Sequence, residues 1–361
     1  MANTIKVVSL FSGIGGFEVG LQNSKLKHKV VFASEIDSFA QKSYIANFSA
    51  SPLFGDITKI DEKTIPDHDL LLAGFPCQSF SIAGKQKGFD DIRGTLFFDV
   101  ARILSEKKPK FVLLENVKNL ISHNKTATIT TILKTLNNIG YTVDFTIINS
   151  VEAGVPQSRD RAYICGVYNG HKEKFQDDIR NSKATQLKQL LNKKGFCGFN
   201  FFNKVKFTNK QKYIKDILEK EIDKVYYFDT KEINEFLCEK ENLTQTKCDA
   251  KIIKLLDLPR EIHNDLERQR RVYSIYGISP TVLARADSTK ILVSTPDGLK
   301  VRKITAAENF YIQGFDKNFV NNIKATGMSP TQMYKQSGNA VSPPVITGIL
   351  NCLYEELINN D

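Results

Sequence analysis

The chain has 361 residues, a hydrophobic fraction of 41%, a charged fraction of 25% and a formal net charge of +10. That length suits a main domain with a full core plus a smaller second one. The positive balance points to a polyanionic partner, nucleic acid first. No apolar run approaches the ~20 residues of a membrane span, and the amino terminus shows no basic-then-apolar export pattern. Six cysteines without paired CxxC spacing, and five scattered histidines, argue against a zinc site. Free thiols fit a reducing cytoplasm.

Strand-like and helix-like segments alternate over the first 170 or so residues, the pattern of a layered α/β domain with a mostly parallel sheet. Lys6 to Phe11 reads as a strand, followed by a glycine turn (Ser12-Gly13-Ile14-Gly15-Gly16) and a helix through Val19 and Leu21. Val30 to Ser34 is a second strand ending at Glu35, and Asp37 to Phe48 an amphipathic helix. Leu70 to Ala73 runs into Gly74-Phe75-Pro76-Cys77-Gln78-Ser79-Phe80-Ser81, with Gly84 and Gly88 able to hinge a lid beyond it. A helix over Thr95 to Ser105 precedes Pro109, and Phe111 to Leu114 is a strand delivering Glu115 and Asn116. A helix around Ile129, Leu133 and Leu136 ends at Gly140, before strands at Thr142 to Ile148 and Ala162 to Val167.

The composition then changes. Lys183 to Lys215 is rich in lysine, has no acidic residue, and interleaves Phe196, Phe199, Phe201, Phe202, Phe207 and Tyr213. Such a mixture suits phosphate contact and base stacking, or a solvated face over a small core. Residues 216–262 are charge-mixed and helix-like, and Val272 to Val293 is strand- and turn-rich. Ile304 to Gln313 and Pro344 to Leu357 return to helical core composition.

Several residues carry chemistry. Glycines after a first strand let a backbone approach a nucleotide, and the helix start offers amides. Glu35, about 20 residues on, is placed to accept ribose hydroxyls. Asp56, after a third strand-like stretch, can hydrogen-bond an adenine amino group. The loop has no lysine or arginine to grip phosphates, so a nucleoside such as S-adenosylmethionine fits better than NAD. Cys77, after a proline and before a polar, glycine-bearing stretch, is placed as a nucleophile, although an isolated cysteine is more often structural. Glu115, at the end of an apolar strand, has its protonated form favoured by such surroundings. It also has the bland reading of an acid capping a strand end. Arg159 and Arg161 alternate along Gln157 to Tyr163 and share one face of an extended segment, suited to a base carbonyl or a phosphate, or simply a surface charge pair.

Taken in order, Gly-Phe-Pro-Cys-Gln at 74–78, Arg93 to Phe97, Glu115-Asn116-Val117, Gln157 to Arg161 and Gln336 to Val341 resemble the cytosine-5 DNA methyltransferase family of prokaryotic restriction-modification type. The resemblance implies a Rossmann-like S-adenosylmethionine-dependent domain formed by residues 1–172 and 325–361, with a smaller, irregular target recognition domain at 173–324. It implies that Cys77 attacks carbon 6 of a flipped cytosine, that Glu115 engages ring nitrogen N3, and that Arg159 and Arg161 hold the base. Phe11, Gly13, Ile14 and Gly16 are implied for the methionine and adenosine pocket, Glu35 for ribose, and Ile36, Asp56 and Ile57 for adenine. Pro76, Leu96 and Asn339 would complete that pocket. Gln78 and Ser81 would touch DNA with the lid, and Arg270, Thr281 and Arg285 are the expected contacts from the recognition stretch. The implied partner is double-stranded DNA, the implied state a monomer in the cytoplasm, and a cognate restriction endonuclease would act independently. Ile36 stands where the family often has an aromatic residue, and Ala307 and Tyr311 where it usually has arginine. A tRNA-modifying relative, which would carry a Cys-Phe-Thr signature absent here, and a catalytically silent DNA-binding paralogue are the alternatives.

Overall fold

The computed structural model describes residues 4–76, 96–240, 243, 247–264, 266–285 and 289–358. They form two compact units. One holds Asp160–Lys206 with the described parts of 1–149 and 345–361; the other holds 150–159 and the described parts of 207–344. The sequence expectation divides the chain by role at 172/173 and 324/325, whereas compactness places 173–206 with the first unit and 325–344 with the second.

The first unit is built on a seven-stranded sheet of order β3-β2-β1-β4-β5-β7-β6. The strands are β1 (Ile5–Leu10), β2 (His28–Ser34), β3 (Leu53–Phe54), β4 (Leu70–Gly74), β5 (Phe111–Val117), β6 (Tyr141–Asn149) and β7 (Asp160–Tyr168). β1 to β5 pair in parallel, and β7 runs antiparallel to both of its neighbours. The central strands read as apolar runs (Leu70-Leu71-Leu72-Ala73, Phe111-Val112-Leu113-Leu114) because both faces are covered. The helices are α1 (Gly16–Gln22), α2 (Ser38–Asn47), α3 (Leu96–Lys107), α4 (Ala127–Ile139) and α5 (Ser182–Lys193). Asp37 caps α2 through the amides of Phe39 and Ala40, and Gly140, at φ 114°, ends α4. The strand order reverses between β1 and β4, so the carboxyl ends of β1, β2, β4 and β5 border the crevice where parallel sheets bind ligands.

The basic, aromatic stretch after residue 183 differs from the stacking platform it resembles. Phe201 and Phe202 are fully buried, Phe196 stacks on Phe175, and Lys188 lies in the core between two aspartates. Interleaved aromatics serve a core as readily as a nucleic-acid face, and composition does not separate the two.

The second unit carries a four-stranded sheet of order β11-β10-β9-β8, from β8 (Lys254–Asp257), β9 (Arg271–Ser274), β10 (Lys290–Thr295) and β11 (Gly298–Lys303). A small core of Ile233, Leu237, Leu256, Leu258, Val272, Leu292 and Val301 lies against it. Its helices are α6 (Lys231–Cys238), α7 (Glu267–Arg270), α8 (Ala306–Gln313), α9 (Lys317–Ala325) and α10 (Pro330–Asn339); α11 (Pro343–Leu353) follows and belongs mostly to the first unit. Within residues 216–262, expected to be helix-like, the described elements are α6, β8 and short 3-10 turns such as Lys224–Tyr226, with Ile214–Ile217 overlapping the start. The unit is accordingly irregular between its sheet and its helices.

Candidate active site

The glycine turn follows β1 directly. Phe11 (φ 55°), Gly13 (φ 56°) and Gly15 (φ 94°) all sit in the left-handed region, which an aromatic side chain such as Phe11 adopts only under constraint. A β-carbon on Gly15 would lie 2.1 Å from the Phe48 ring, so this glycine is required by space as well as by backbone angle. At Gly13 the same position is open. The amide of Gly13 donates to Glu35 Oε2 at 2.8 Å, and the amide of Asp37 to Glu35 Oε1 at 2.8 Å. The carboxylate at the end of β2 thus braces the loop from beside it and remains half-exposed on the crevice side of the sheet.

Apolar surface is left uncovered beside it. Ile36 is 70% exposed, and Phe54 is 45% exposed while stacked on Phe32 at 4.5 Å. Asp56 caps the turn Ile57–Lys59 through the amide and hydroxyl of Thr58, and those hydrogen bonds hold its carboxyl below the usual carboxylate range. Ile57 is buried, and Ile14 and Gly16 are buried in the loop. Leu96 is half-buried at the start of α3, and Pro76 is exposed after β4. Acidic acceptors, exposed apolar side chains and an unobstructed glycine together suit a nucleoside; no lysine or arginine lies in the glycine turn to clamp a phosphate.

Glu115 lies two residues before the end of β5, opposite Tyr163 of β7, with Arg161 two positions away in the ladder. Arg161 Nε lies 3.2 Å from Glu115 Oε1, and Arg161 also donates to the carbonyl of Asp160. A guanidinium therefore stands where the sequence suggested only apolar neighbours around Glu115. Next to it, Asn116 is buried and donates from Nδ2 to the carbonyl of Phe75 at 2.8 Å. That bond ties the end of β5 to the residue two before Cys77. Cys77, Gln78 and Ser81, with the glycines at 84 and 88 and Arg93, lie outside the described residues.

Arg159, placed by sequence on a face shared with Arg161, belongs to the second unit. It is 4% exposed and donates to the carbonyls of Gly338 and Ala340, both at 3.0 Å. Its guanidinium is engaged in binding the end of α10, where Asn339 is exposed. Gln157, fully buried, receives the amide of Val282 and donates to Gln313 Oε1 at 2.7 Å. Neither glutamine's role was visible in the sequence; the only hint was a polar residue inside a short motif that otherwise reads as surface.

In the stretch that the sequence expectation gives to target recognition, Arg270 donates to the carbonyl of Leu258 at 2.7 Å and Thr281 to that of Ser158 at 2.7 Å, so both have structural work to do. Arg285 is exposed. Arg268, not singled out by sequence, is exposed and 3.4 Å from the carbonyl of Thr281. A β-carbon on Gly338 would fall 2.4 Å from the backbone of Leu283 and Ala284, so glycine there lets this stretch lie against α10.

The family model of the C-5 cytosine-specific DNA methylases matches residues 5–355. The chain is 40% identical over 359 residues to "Type II methyltransferase M.SsoII" of Shigella sonnei, covering 95% of this chain and 78% of that protein. It is likewise 40% identical over 354 residues to "Type II methyltransferase M1.ScrFI" of Lactococcus lactis subsp. cremoris, covering 98% and 78%. In fold it is similar to a crystal structure of a DNMT2 variant from Spodoptera frugiperda, with a TM-score of 0.67 and 19% identity over 97% of this chain and 100% of that one. At that identity the likeness speaks for the fold alone. No helix among the described residues is long and apolar enough to cross a membrane. On the family match and on relatives of this identity and coverage, the chain belongs to the C-5 cytosine-specific DNA methylases and is a DNA (cytosine-5) methyltransferase.

Proposed function

We propose that the chain methylates carbon 5 of a flipped-out cytosine in a short duplex sequence through a covalent adduct on Cys77, with S-adenosylmethionine as donor. The observation that carries this reading is the convergence at one end of the sheet. The Glu35-braced glycine turn, the Glu115–Arg161 pair and the Asn116–Phe75 tie all lie at carboxyl ends of neighbouring strands or opposite them.

In this reading the Cys77 thiolate forms a bond to carbon 6 of the base while Glu115 engages N3. The electrons of the 5,6 double bond then make carbon 5 nucleophilic. When bound, S-adenosylmethionine supplies an electrophilic methyl group. After carbon 5 is methylated, its proton leaves and the sulfur–carbon bond breaks, restoring the ring. The target atom is unreachable within a stack, so the base leaves the helix first. Arg161 orients Glu115. Arg159 acts at a remove, by holding the end of α10 through the carbonyls of Gly338 and Ala340. Glu35 takes the ribose, Asp56 and Ile57 the adenine edge, Ile36 its face, and Phe11, Gly13, Ile14, Gly16, Pro76 and Leu96 the remainder.

Residues 173–324 are assigned to target recognition, with Gln78, Ser81, Arg270, Thr281 and Arg285 as DNA contacts. The names of the two relatives, both Type II methyltransferases, support a restriction-modification setting; a separate endonuclease, a monomeric enzyme and a cytoplasmic location complete the proposal. The test is mechanism-based trapping. DNA with 5-fluorocytosine at the target lacks a proton that can leave carbon 5, so with cofactor the wild-type chain should form a denaturant-resistant complex. Cys77→Ala should form none while still binding DNA; a trapped Cys77→Ala complex would overturn the nucleophile assignment.

A further inference from the structure

The reaction just described makes no use of Glu18, yet this carboxyl is placed unusually. It lies in the first turn of α1, immediately behind the glycine turn, and is only 2% exposed. Tyr44 of α2 donates its hydroxyl to Glu18 Oε1 at 3.1 Å, whereas Oε2 is buried without a hydrogen-bond partner. The Ser9 hydroxyl from β1 borders the same carboxyl, and Ser9 in turn receives the hydroxyl of Ser12 at 3.2 Å. Ser12 sits in the turn itself, between Phe11 and Gly13. One turn along α2, Phe48 packs against Tyr44 and fills the space beside Gly15. A chain of contacts therefore runs from α2 through Glu18 and β1 into the backbone that Glu35 braces.

The groups acting on Glu18 are Ser9, Tyr44 and its own backbone amide, and no charged side chain is among those described. α11 meets α1 through the neutral Thr347, at the carbonyl of Gly20. The charged pair beyond the end of α1, Lys25 with Glu355, satisfies itself. Burial of the carboxyl without a countercharge disfavours its ionised form.

We propose that Glu18 is a proton-dependent positioning residue for the cofactor loop: neutral, it locks α1 and the glycine turn against β1 and α2; ionised, it loosens them, so that cofactor affinity falls as pH rises. The direction agrees with the electrostatics. Burial, the largest cause, pushes the Glu18 carboxyl up to about 7, with Ser9 and Tyr44 opposing that push. A group with its folded value raised contributes stability at low pH and loses it as pH climbs through that value. The window is thus neutral pH, where a modest change alters the population of the locked turn.

The inference rests on the cofactor reading above, and its test separates the two. Binding of S-adenosylmethionine to the full chain is measured by calorimetry from about pH 6 to about pH 8.5, for wild type, Glu18→Gln and Glu18→Ala. Wild-type affinity should weaken about five- to tenfold across that range. Glu18→Gln, which keeps the shape of the neutral acid, should bind as wild type does at low pH and show no such slope; Glu18→Ala should be weak throughout. An equal slope in wild type and Glu18→Gln, or no slope in wild type, overturns the proposal. If no variant binds at any pH, the cofactor reading fails, and amide hydrogen exchange of Ser12 to Gly16 decides the positioning role. Protection lost with rising pH in wild type but kept in Glu18→Gln supports it; parallel behaviour overturns it.

Discussion

Gly15 and Gly13 both take left-handed angles, but only Gly15 faces a ring. Left-handed backbone costs an L-residue roughly 1–2 kcal/mol, and forced overpacking adds about 1–3 kcal/mol. Gly13→Ala should therefore cost only the backbone part, whereas Gly15→Ala should cost both and displace Phe48. Denaturant midpoints read the difference directly. Equal losses in the two variants would mean that Phe48 does not hold the turn. Sequence went far at this scale: Glu35, Glu115 and the glycines lie at strand ends because their strands are short apolar runs with clear stops. What sequence could not supply was partners. Nothing in Gln157-Ser158-Arg159 says that Arg159 will be absorbed by the carbonyls of Gly338 and Ala340, nearly 180 residues on by chain order. Likewise, the apolar strand before Glu115 suggested a lone carboxyl, and the antiparallel return of β7 brings Arg161 to it.

Among the elements, α5 is the one most easily misread. Lys188 is 1% exposed, 2.9 Å from Asp144 on β6 and 3.3 Å from Asp178, with the rings of Phe145 and Phe175 near its ammonium. Asp144 also accepts the amides of Phe201 and Phe202, so one buried cluster fastens the whole 173–206 stretch to the edge strand. Breaking a buried pair from one side leaves uncompensated charge, about 3–5 kcal/mol. Lys188→Met should lose that order of stability at neutral pH. Burial already pushes the Asp144 carboxyl up, and without the ammonium beside it that carboxyl gains by taking up a proton, so the loss should shrink as pH falls. Chemical denaturation at two pH values checks the size and the sign; a neutral substitution would show that the cluster contributes nothing to holding this stretch. In sequence, Lys188 is one lysine among many in a basic run, and only the placement of Asp144 on β6 and Asp178 before α5 reveals it as core. The mostly parallel character of the sheet, by contrast, followed from the alternation of elements, since β-α-β units join parallel strands.

For the whole molecule, the chain's two compact units differ in how much of them was legible. The first follows α/β rules that leave a strong trace in apolar runs and stops. The second has a four-stranded sheet, a small core and long irregular stretches, held by single interactions such as the Arg302–Glu308 pair and the close approach at Gly338. Those interactions have no periodic signature, so the sequence carried little of this unit's geometry. The central claim is that this chain methylates cytosine in duplex DNA at carbon 5, at one short sequence, through Cys77. Base-resolution bisulfite sequencing of DNA from cells expressing the chain, beside cells expressing Cys77→Ala, tests it most directly. The account predicts protected cytosines confined to one short motif and absent from the variant. Protection that persists in Cys77→Ala would contradict the mechanism, and DNA unprotected in both would contradict the proposed methylation itself.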